Sequence, residues 1–228
     1  MPDAAALVGV LQLDTRFPRP PGDIGAPETW GGNCLIERVS GATVPRIVRP
    51  SLEEAVIAPF LQAARRLEAA GASVLVTSCG FLWPAAARIS AAVSIPVVTS
   101  ALQAMPRLRA AAGRDRPIGI LTYDSRVLLE SPLDLLDPGP LIVEGIETGR
   151  ELHRVIARDL PTLDRVAAEA DVRAAAERLA ARAPDLSAVV LECTNLPPYR
   201  ATIEAAVGVP VVDAVDLVRD ILVTSKDW

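Results

Sequence analysis

The sequence predicts an α/β fold of two pseudosymmetric lobes, each on a mostly parallel sheet, with an active site in the cleft between them. Three observations predict it. Short apolar runs alternate with longer amphipathic ones, the pattern of β-α-β units. Two 26-residue stretches, Ser73–Val98 and Ser187–Val212, align without a gap at an offset of 114 and agree at 13 positions. A second match opens each half, where Val8–Arg16 and Ile118–Arg126 share Gly9/Gly119, Leu11/Leu121, Asp14/Asp124 and Arg16/Arg126. The chain therefore reads as a duplicated unit.

Taken in order, Leu7–Leu13 is an apolar run with the length of a buried strand. Arg16–Gly32 carries four prolines and four glycines and is too long for a plain connector. Pro45–Val48 is a short strand candidate. Leu52–Ala70 is a helix, with Ser51 as N-cap, Glu54 completing a capping box and Gly71 as its stop. Val74–Thr77 is a strand, Pro84–Ala92 a helix, Pro96–Thr99 a strand and Leu102–Ala112 a helix. The second half repeats this with strands at Ile118–Thr122, Leu141–Gly145, Ala188–Leu191 and Pro210–Val212. Its helices fall at Glu151–Arg158, Thr162–Ala181, Pro198–Ala206 and Ala214–Val223. The tail echoes the end of the first half, which places the first lobe at 1–98 plus 211–228 and the second at 99–210.

Composition excludes several functions. The chain has 228 residues, half of them hydrophobic, and a net charge of −5 with mixed signs, so no nucleic-acid footprint or membrane-surface helix is expected. No apolar run nears the ~18 residues of a membrane span. An acid stands near the start, where a signal peptide carries base, and the three cysteines have no framework spacing; both fit reduced thiols in a cytoplasm. The lone lysine, Lys226, sits at the extreme C-terminus, a poor place for a pyridoxal Schiff base. The lone histidine, His153, cannot build a multi-histidine metal site or serve two symmetric thiols, and a surface helix position suits it. No cofactor and no metal are expected.

Cys79 and Cys193 occupy the same place in the two copies, after an apolar strand and ahead of a proline suited to a helix start. Ligands of open α/β sheets bind at such strand ends. Helix amides there favour anions and would lower a thiol pKa. Either cysteine alone reads as a small buried hydrophobe; two at matched strand ends read as a functional pair. Two thiols facing one ligand from opposite lobes suit stereochemical inversion at a carbon acid. Ser78, Gly80, Thr194 and Asn195 flank them as substrate-binding candidates. Cys34 has no counterpart in the repeat and reads as structural.

These residues resemble a known family. LECTNLPPY is similar to the second cysteine motif of the aspartate/glutamate racemase superfamily, a Gly-Cys-Thr-His stretch before a proline. TSCGFLWP is similar to its first cysteine region, and Leu13–Thr15 to its early Asp-Ser or Asp-Thr motif. The superfamily includes glutamate, aspartate and hydantoin racemases, maleate isomerases and arylmalonate decarboxylases. The chain departs from it at Asn195, where glutamate racemases have a histidine, at Phe81, at Arg16 in place of a glycine, and in the RFPRPPGDIG loop. Those departures bring into question acidic amino acids as substrate, although an amino acid such as aspartate or glutamate, or a derivative, is the expected class. The paired cysteines argue against the decarboxylase branch, which keeps only the later one.

The resemblance implies a cofactor-independent racemase or epimerase acting on a small carboxylate-bearing carbon acid. One thiolate would remove the α-proton and the opposite thiol would return one. Asp14 would orient or deprotonate the nearer thiol, or serve as a turn aspartate. Thr15 would bind substrate or bond locally. Arg16 and Arg19 would grip a carboxylate, with solvation the stronger reading for Arg19. Tyr123 would reach a carboxylate or pack in the core, and Ser100 would touch substrate or cap the next helix. Asp124 and Ser125 mirror Asp14 and Thr15 with weaker support, and Trp30 and Trp83 would line the pocket or pack. Other readings are a cis–trans isomerase or decarboxylase of a small diacid, a non-catalytic small-acid binding protein, and a redox switch, which would need Cα atoms within ~7 Å. The expected partner is a small carboxylate. A homo-oligomer is compatible with the sequence.

Overall fold

The computed structural model of the chain describes residues 6–133, 136 and 139–224. Lys226 and the acidic start of the chain lie outside them. Strands β1 (Val8–Leu13), β2 (Cys34–Val39), β3 (Val74–Thr77) and β4 (Val97–Val98) form one sheet, ordered β2-β1-β3-β4. Strands β5 (Ile118–Thr122), β6 (Leu141–Gly145), β7 (Ala188–Leu191) and β8 (Val211–Val212) form a second, ordered β6-β5-β7-β8. The described pairings are all parallel, and the registers repeat: Val8 faces Val74 in one sheet as Ile118 faces Ala188 in the other.

The central strands β1, β3, β5 and β7 are buried at every position, because crossover helices cover both faces of a parallel sheet. These are the runs most legible as apolar sequence. The helices are α1 (Val44–Ile47), α2 (Glu54–Ala69), α3 (Ala86–Ser90), α4 (Met105–Ala112), α5 (Ser125–Leu129), α6 (Leu152–Ala157), α7 (Arg165–Arg182), α8 (Arg200–Val207) and α9 (Ala214–Thr224). Short 3-10 turns stand at Pro27–Trp30, Gly80–Ala85, Ala101–Ala104 and Pro197–Tyr199. Helix α2 lays Ile57, Phe60, Ala64 and Leu67 into the first core, and each large apolar side chain so buried contributes about 1.5–3 kcal/mol. Helix α7 does the same in the second lobe with Ala168, Val172, Ala176 and Leu179.

Four local expectations are corrected. Residues 45–48 are not a strand: Pro45 opens the single-turn helix α1, where its fixed φ suits the first turn. The missing strand is β2, an edge strand with mixed burial that lacks the continuous apolar run of its neighbours. Helix α2 starts at Glu54 without a side-chain cap, so Ser51 does not cap it, and Glu54 pairs with Arg88 instead. Gly71 does stop the helix end, at φ +96°. Finally, Val211–Val212 hydrogen-bonds to β7 in the second sheet, while α9 lies on β3 and β4 of the first. The crossing between lobes therefore falls after β8, one element later than the sequence echo suggested.

Candidate active site

Both thiols sit two residues beyond a central strand: β3 ends at Thr77 and β7 at Leu191. The duplication is structural in detail. The Ser78 N–H donates to the Leu11 carbonyl at 3.0 Å, and at the equivalent place the Glu192 N–H donates to the Leu121 carbonyl at 2.9 Å. The two strand ends converge on one small, largely enclosed cavity lined by Ser78, Cys79, Gly80, Glu192, Cys193, Thr194 and Asn195. Leu13, Phe17, Val44, Val48, Phe81, Tyr123 and Ile156 complete its wall. A bond across the lobes closes the floor, where the Thr194 hydroxyl donates to the Ser78 carbonyl at 2.6 Å.

Each sulfur receives the backbone N–H of the residue two positions on, Phe81 for Cys79 and Asn195 for Cys193. That agrees with thiols held before a turn of helix. The expected drop in thiol pKa does not follow. Burial dominates and pushes the Cys79 thiol up to about 12, with the Glu192 charge adding to it and the Phe81 N–H and Arg19 opposing it. Burial likewise pushes Cys193 well up, with Glu192 again adding. A few backbone dipoles do not offset desolvation in so dry a cleft.

The other predicted residues separate into two groups. Ser78, Gly80, Tyr123, Thr194 and Asn195 line the cavity. The Ser78 hydroxyl oxygen accepts the Leu13 N–H at 3.0 Å, which leaves its own proton to donate. Asn195 donates its amide to Asp23 at 2.5 Å, and its side-chain oxygen stands 3.8 Å from the Cys193 sulfur. Burial pushes the Tyr123 phenol up, and the nearby Cys193 adds to the shift. Its ring stacks on His153 with centroids 4.5 Å apart and planes 18° from parallel. His153 is thus a half-buried backing for Tyr123 and not a surface residue, and burial holds its imidazole below the usual pKa.

Asp14, Thr15, Arg16 and Ser100 are absent from the lining. The Asp14 carboxylate accepts the Gly41 N–H at 2.9 Å and ties the end of β1 to the turn after β2. Thr15 donates to the Leu13 carbonyl and accepts from Arg19. Ser100 caps the Ala101–Ala104 turn in a capping box with Gln103. Arg16 is 76% exposed and pairs with Asp159 of the other lobe at 3.1 Å. Asp124 caps α5 and binds Arg126, and Ser125 bonds to Glu147. Trp30 is buried in the long loop, bonded to the Ile24 carbonyl at 2.9 Å, and neither it nor Trp83 lines the cavity. Cys34 opens the edge strand β2, away from the site.

Near the site one residue was misread from the sequence and one was missed. Arg19 is not solvated: its side chain is 7% exposed, bonds Asp23 at 2.9 Å and lies 4.5 Å over the Phe17 ring. An opposite charge, Asp23, a few positions on in the same loop was the available signal. Glu192 is fully buried, accepts the Thr122 hydroxyl at 2.6 Å, and leaves its other oxygen, Oε1, without a partner. Burial raises its carboxyl to about 7 against the pull of the Thr122 hydrogen bond. An acid beside the thiol at the end of an otherwise apolar run was the signal for it.

Among the described residues no helix is long and apolar enough to cross a membrane. The chain is 29% identical over 219 residues to a dimethylsulfoniopropionate lyase of Durusdinium sp. clade D, covering 92% of this chain and 72% of that protein. It is 30% identical over 235 residues to dimethylsulfoniopropionate lyase 5 of Emiliania huxleyi (strain CCMP1516), covering 98% of this chain but only 46% of that protein. The chain thus spans about half the length of that second relative. Unliganded arylmalonate decarboxylase superposes with a TM-score of 0.60 at 17% identity, over 95% of this chain and 92% of that one. An aspartate racemase homologue from Pyrococcus horikoshii OT3 does so with a TM-score of 0.58 at 18% identity, over 97% and 99%. The profile of the Asp/Glu/Hydantoin racemase family matches residues 34–220. With its two parallel sheets and paired strand-end cysteines, the chain belongs to the Asp/Glu/Hydantoin racemase family.

Proposed function

We propose that this protein is a cofactor-independent carbon-acid lyase. It removes the proton α to a carboxylate and expels a leaving group from the β-carbon, with dimethylsulfoniopropionate or a close onium acid as substrate. The observation that carries the reading is a pair of thiols on one cavity whose wall, beside the polar Ser78, Glu192, Thr194 and Asn195, is aliphatic and aromatic. Phe81, Tyr123 and Phe17 line it, and aromatic rings attract a sulfonium as they attract other cations. One face of Phe17 already holds the Arg19 guanidinium. The names of the curated relatives support the same chemistry.

In this mechanism a thiolate takes the Cα proton. The electron pair of that C–H bond becomes the new C=C bond, and the Cβ–S bond breaks with its electrons on sulfur. Dimethyl sulfide and acrylate leave, and the proton stays on the thiol. The charge that develops on the substrate carboxylate needs hydrogen-bond donors, which Ser78 and Tyr123 supply from the cavity wall. A thioether leaves as a neutral molecule, so elimination needs no acid at the β-carbon.

Racemisation is the second reading, favoured by the equivalent setting of the two sulfurs, each with its own backbone N–H. Proton NMR in D₂O separates the two. The lyase gives vinyl signals of acrylate and a dimethyl sulfide signal, and Cys79→Ser or Cys193→Ser lowers that rate by about 10²–10⁴-fold where the lost thiol is the base. Exchange of the Cα proton of aspartate or glutamate with inversion, and no vinyl signal, would replace the lyase by a racemase. Neither product from either substrate set would remove the carbon-acid reading.

A further inference from the structure

Forming a thiolate in this cleft meets a problem of charge. Glu192, Cys79 and Cys193 line the same buried space, and each ionised group there opposes ionisation of the others. Glu192 reaches across the lobe interface. Gly80 packs so tightly on it that a Cβ at position 80 would overlap both its backbone oxygen and Oε1. Oε1 is therefore fixed beside the residue that follows Cys79. The Thr122 hydroxyl occupies Oε2, whereas Oε1 is buried and has no partner. A buried unpartnered carboxylate oxygen costs stability and is retained in native sites for a reason.

We propose that Glu192 is the third proton-holding group of this site: it takes up, on Oε1, the proton that Cys79 gives up when its thiolate forms. The S–H bond breaks with its electron pair left on sulfur, and an O–H bond forms on the carboxylate. The pair carries one negative charge before and after, so the dry cleft never has to hold two. This rests on reading the cleft thiols as proton carriers and adds the source of the thiolate. The surrounding groups leave Glu192 as the acceptor. Cys193 adjoins it, Tyr123 stands near both sulfurs, and Arg19, whose charge acts on Cys79, is already paired with Asp23. The turns at Gly80–Ala85 and Ala101–Ala104 carry no ionisable side chain. A free carboxyl near neutrality matches this role, since its affinity for the proton lies closer to that of a thiol than an exposed glutamate's does.

The test needs no substrate. Iodoacetamide alkylation of Cys79 in the full chain is followed by peptide mass spectrometry from pH 6 to 9. In the wild type the rate climbs to about pH 7, where Glu192 loses its proton. It then stays within about threefold over the next pH unit, because further thiolate must form beside a charged carboxylate. Glu192→Gln keeps the shape but cannot ionise, so its rate climbs about tenfold per unit throughout. Thr122→Val removes the hydrogen bond that favours the ionised carboxylate and moves the break to higher pH. A wild-type rate that climbs without a break, parallel to Glu192→Gln, overturns the proposal, as does a break that survives in the Gln variant. If Glu192→Gln does not fold, the shift in Thr122→Val decides alone. A break in alkylation with no lyase or racemase turnover would sink the functional reading and leave this one standing.

Discussion

At the scale of single residues, the site depends on contacts too close to tolerate an added methyl group. Gly80 is the clearest case. Its missing side chain lets the Cys79 loop of one lobe rest directly on the Glu192 backbone of the other. Gly80→Ala must push these apart and with them both thiols. The expected result is a loss of about 1–3 kcal/mol in thermal unfolding and a fall of more than about tenfold in turnover, because small displacements of reacting groups are costly. An alanine variant with wild-type melting temperature and turnover would show that the loops yield. The residue scale also explains one misreading, Arg19, and one omission, Glu192. Arg19 and Glu192 are charged, and charged side chains are almost never fully buried without partners. Their burial follows from their partners, Asp23 and Phe17 of the same loop for Arg19 and Thr122 at the end of a neighbouring strand for Glu192. Only the first of these left a local spacing signal.

At the scale of elements, strands were legible where both faces are covered and illegible at the edges. β1, β3, β5 and β7 are unbroken apolar runs because helices flank them. β2 alternates burial at the rim of its sheet, so its sequence, CLIERV, resembles surface. Helix starts divide in the same way. Asp164 accepts the Val166 and Ala167 N–H groups at 3.0 and 3.1 Å and so begins α7 three residues after Thr162, the start that sequence suggested. Removing it with Asp164→Ala should cost about 1 kcal/mol, read as a lower urea midpoint at an unchanged slope. An unchanged midpoint would mean that water caps the helix equally well. Ser51, by contrast, makes no cap: α2 begins at Glu54, with Glu53 at the N-cap position and no side-chain bond there.

At the scale of the molecule, the long loop from Arg16 to Gly32 belongs to the first lobe in sequence but is fastened to the second. The Asp159 carboxylate accepts the N–H groups of Arg16 and Phe17 and pairs with the Arg16 guanidinium. Asp159 itself adopts φ +50°, unusual for a residue with a side chain. Desolvation pushes its carboxyl up, but the Arg16 and Phe17 donors together hold it below the usual range. The clamp is therefore at full strength above about pH 4, the unfolded value, and fades as the pH falls through the lower folded value. Asp23 adds a second tie through Asn195. Asp159→Ala removes hydrogen bonds to a charged group, about 1.5–3 kcal/mol of local stability. Trypsin should then cut after Arg16 more than about tenfold faster at pH 7. Unchanged cutting would show that the Asp23–Asn195 tie holds the loop alone.

The sequence by itself determined the duplicated α/β plan, the central strands and the equivalent placement of Cys79 and Cys193, because each is written in local periodicity or in a gapless internal repeat. The tertiary structure decided what surrounds the thiols. It moved Asp14, Thr15, Arg16 and Ser100 onto backbone caps and surface pairs, brought Glu192 against Gly80, and placed β8 in the second sheet. It also reversed the expected direction of the thiol pKa shifts. For Gly80 with Glu192 and Arg16 with Asp159 the reason is that burial and charge pairing join residues far apart in sequence across a lobe interface, which no local pattern records. Thr15 and Ser100 instead took the local bonds that the sequence also offered.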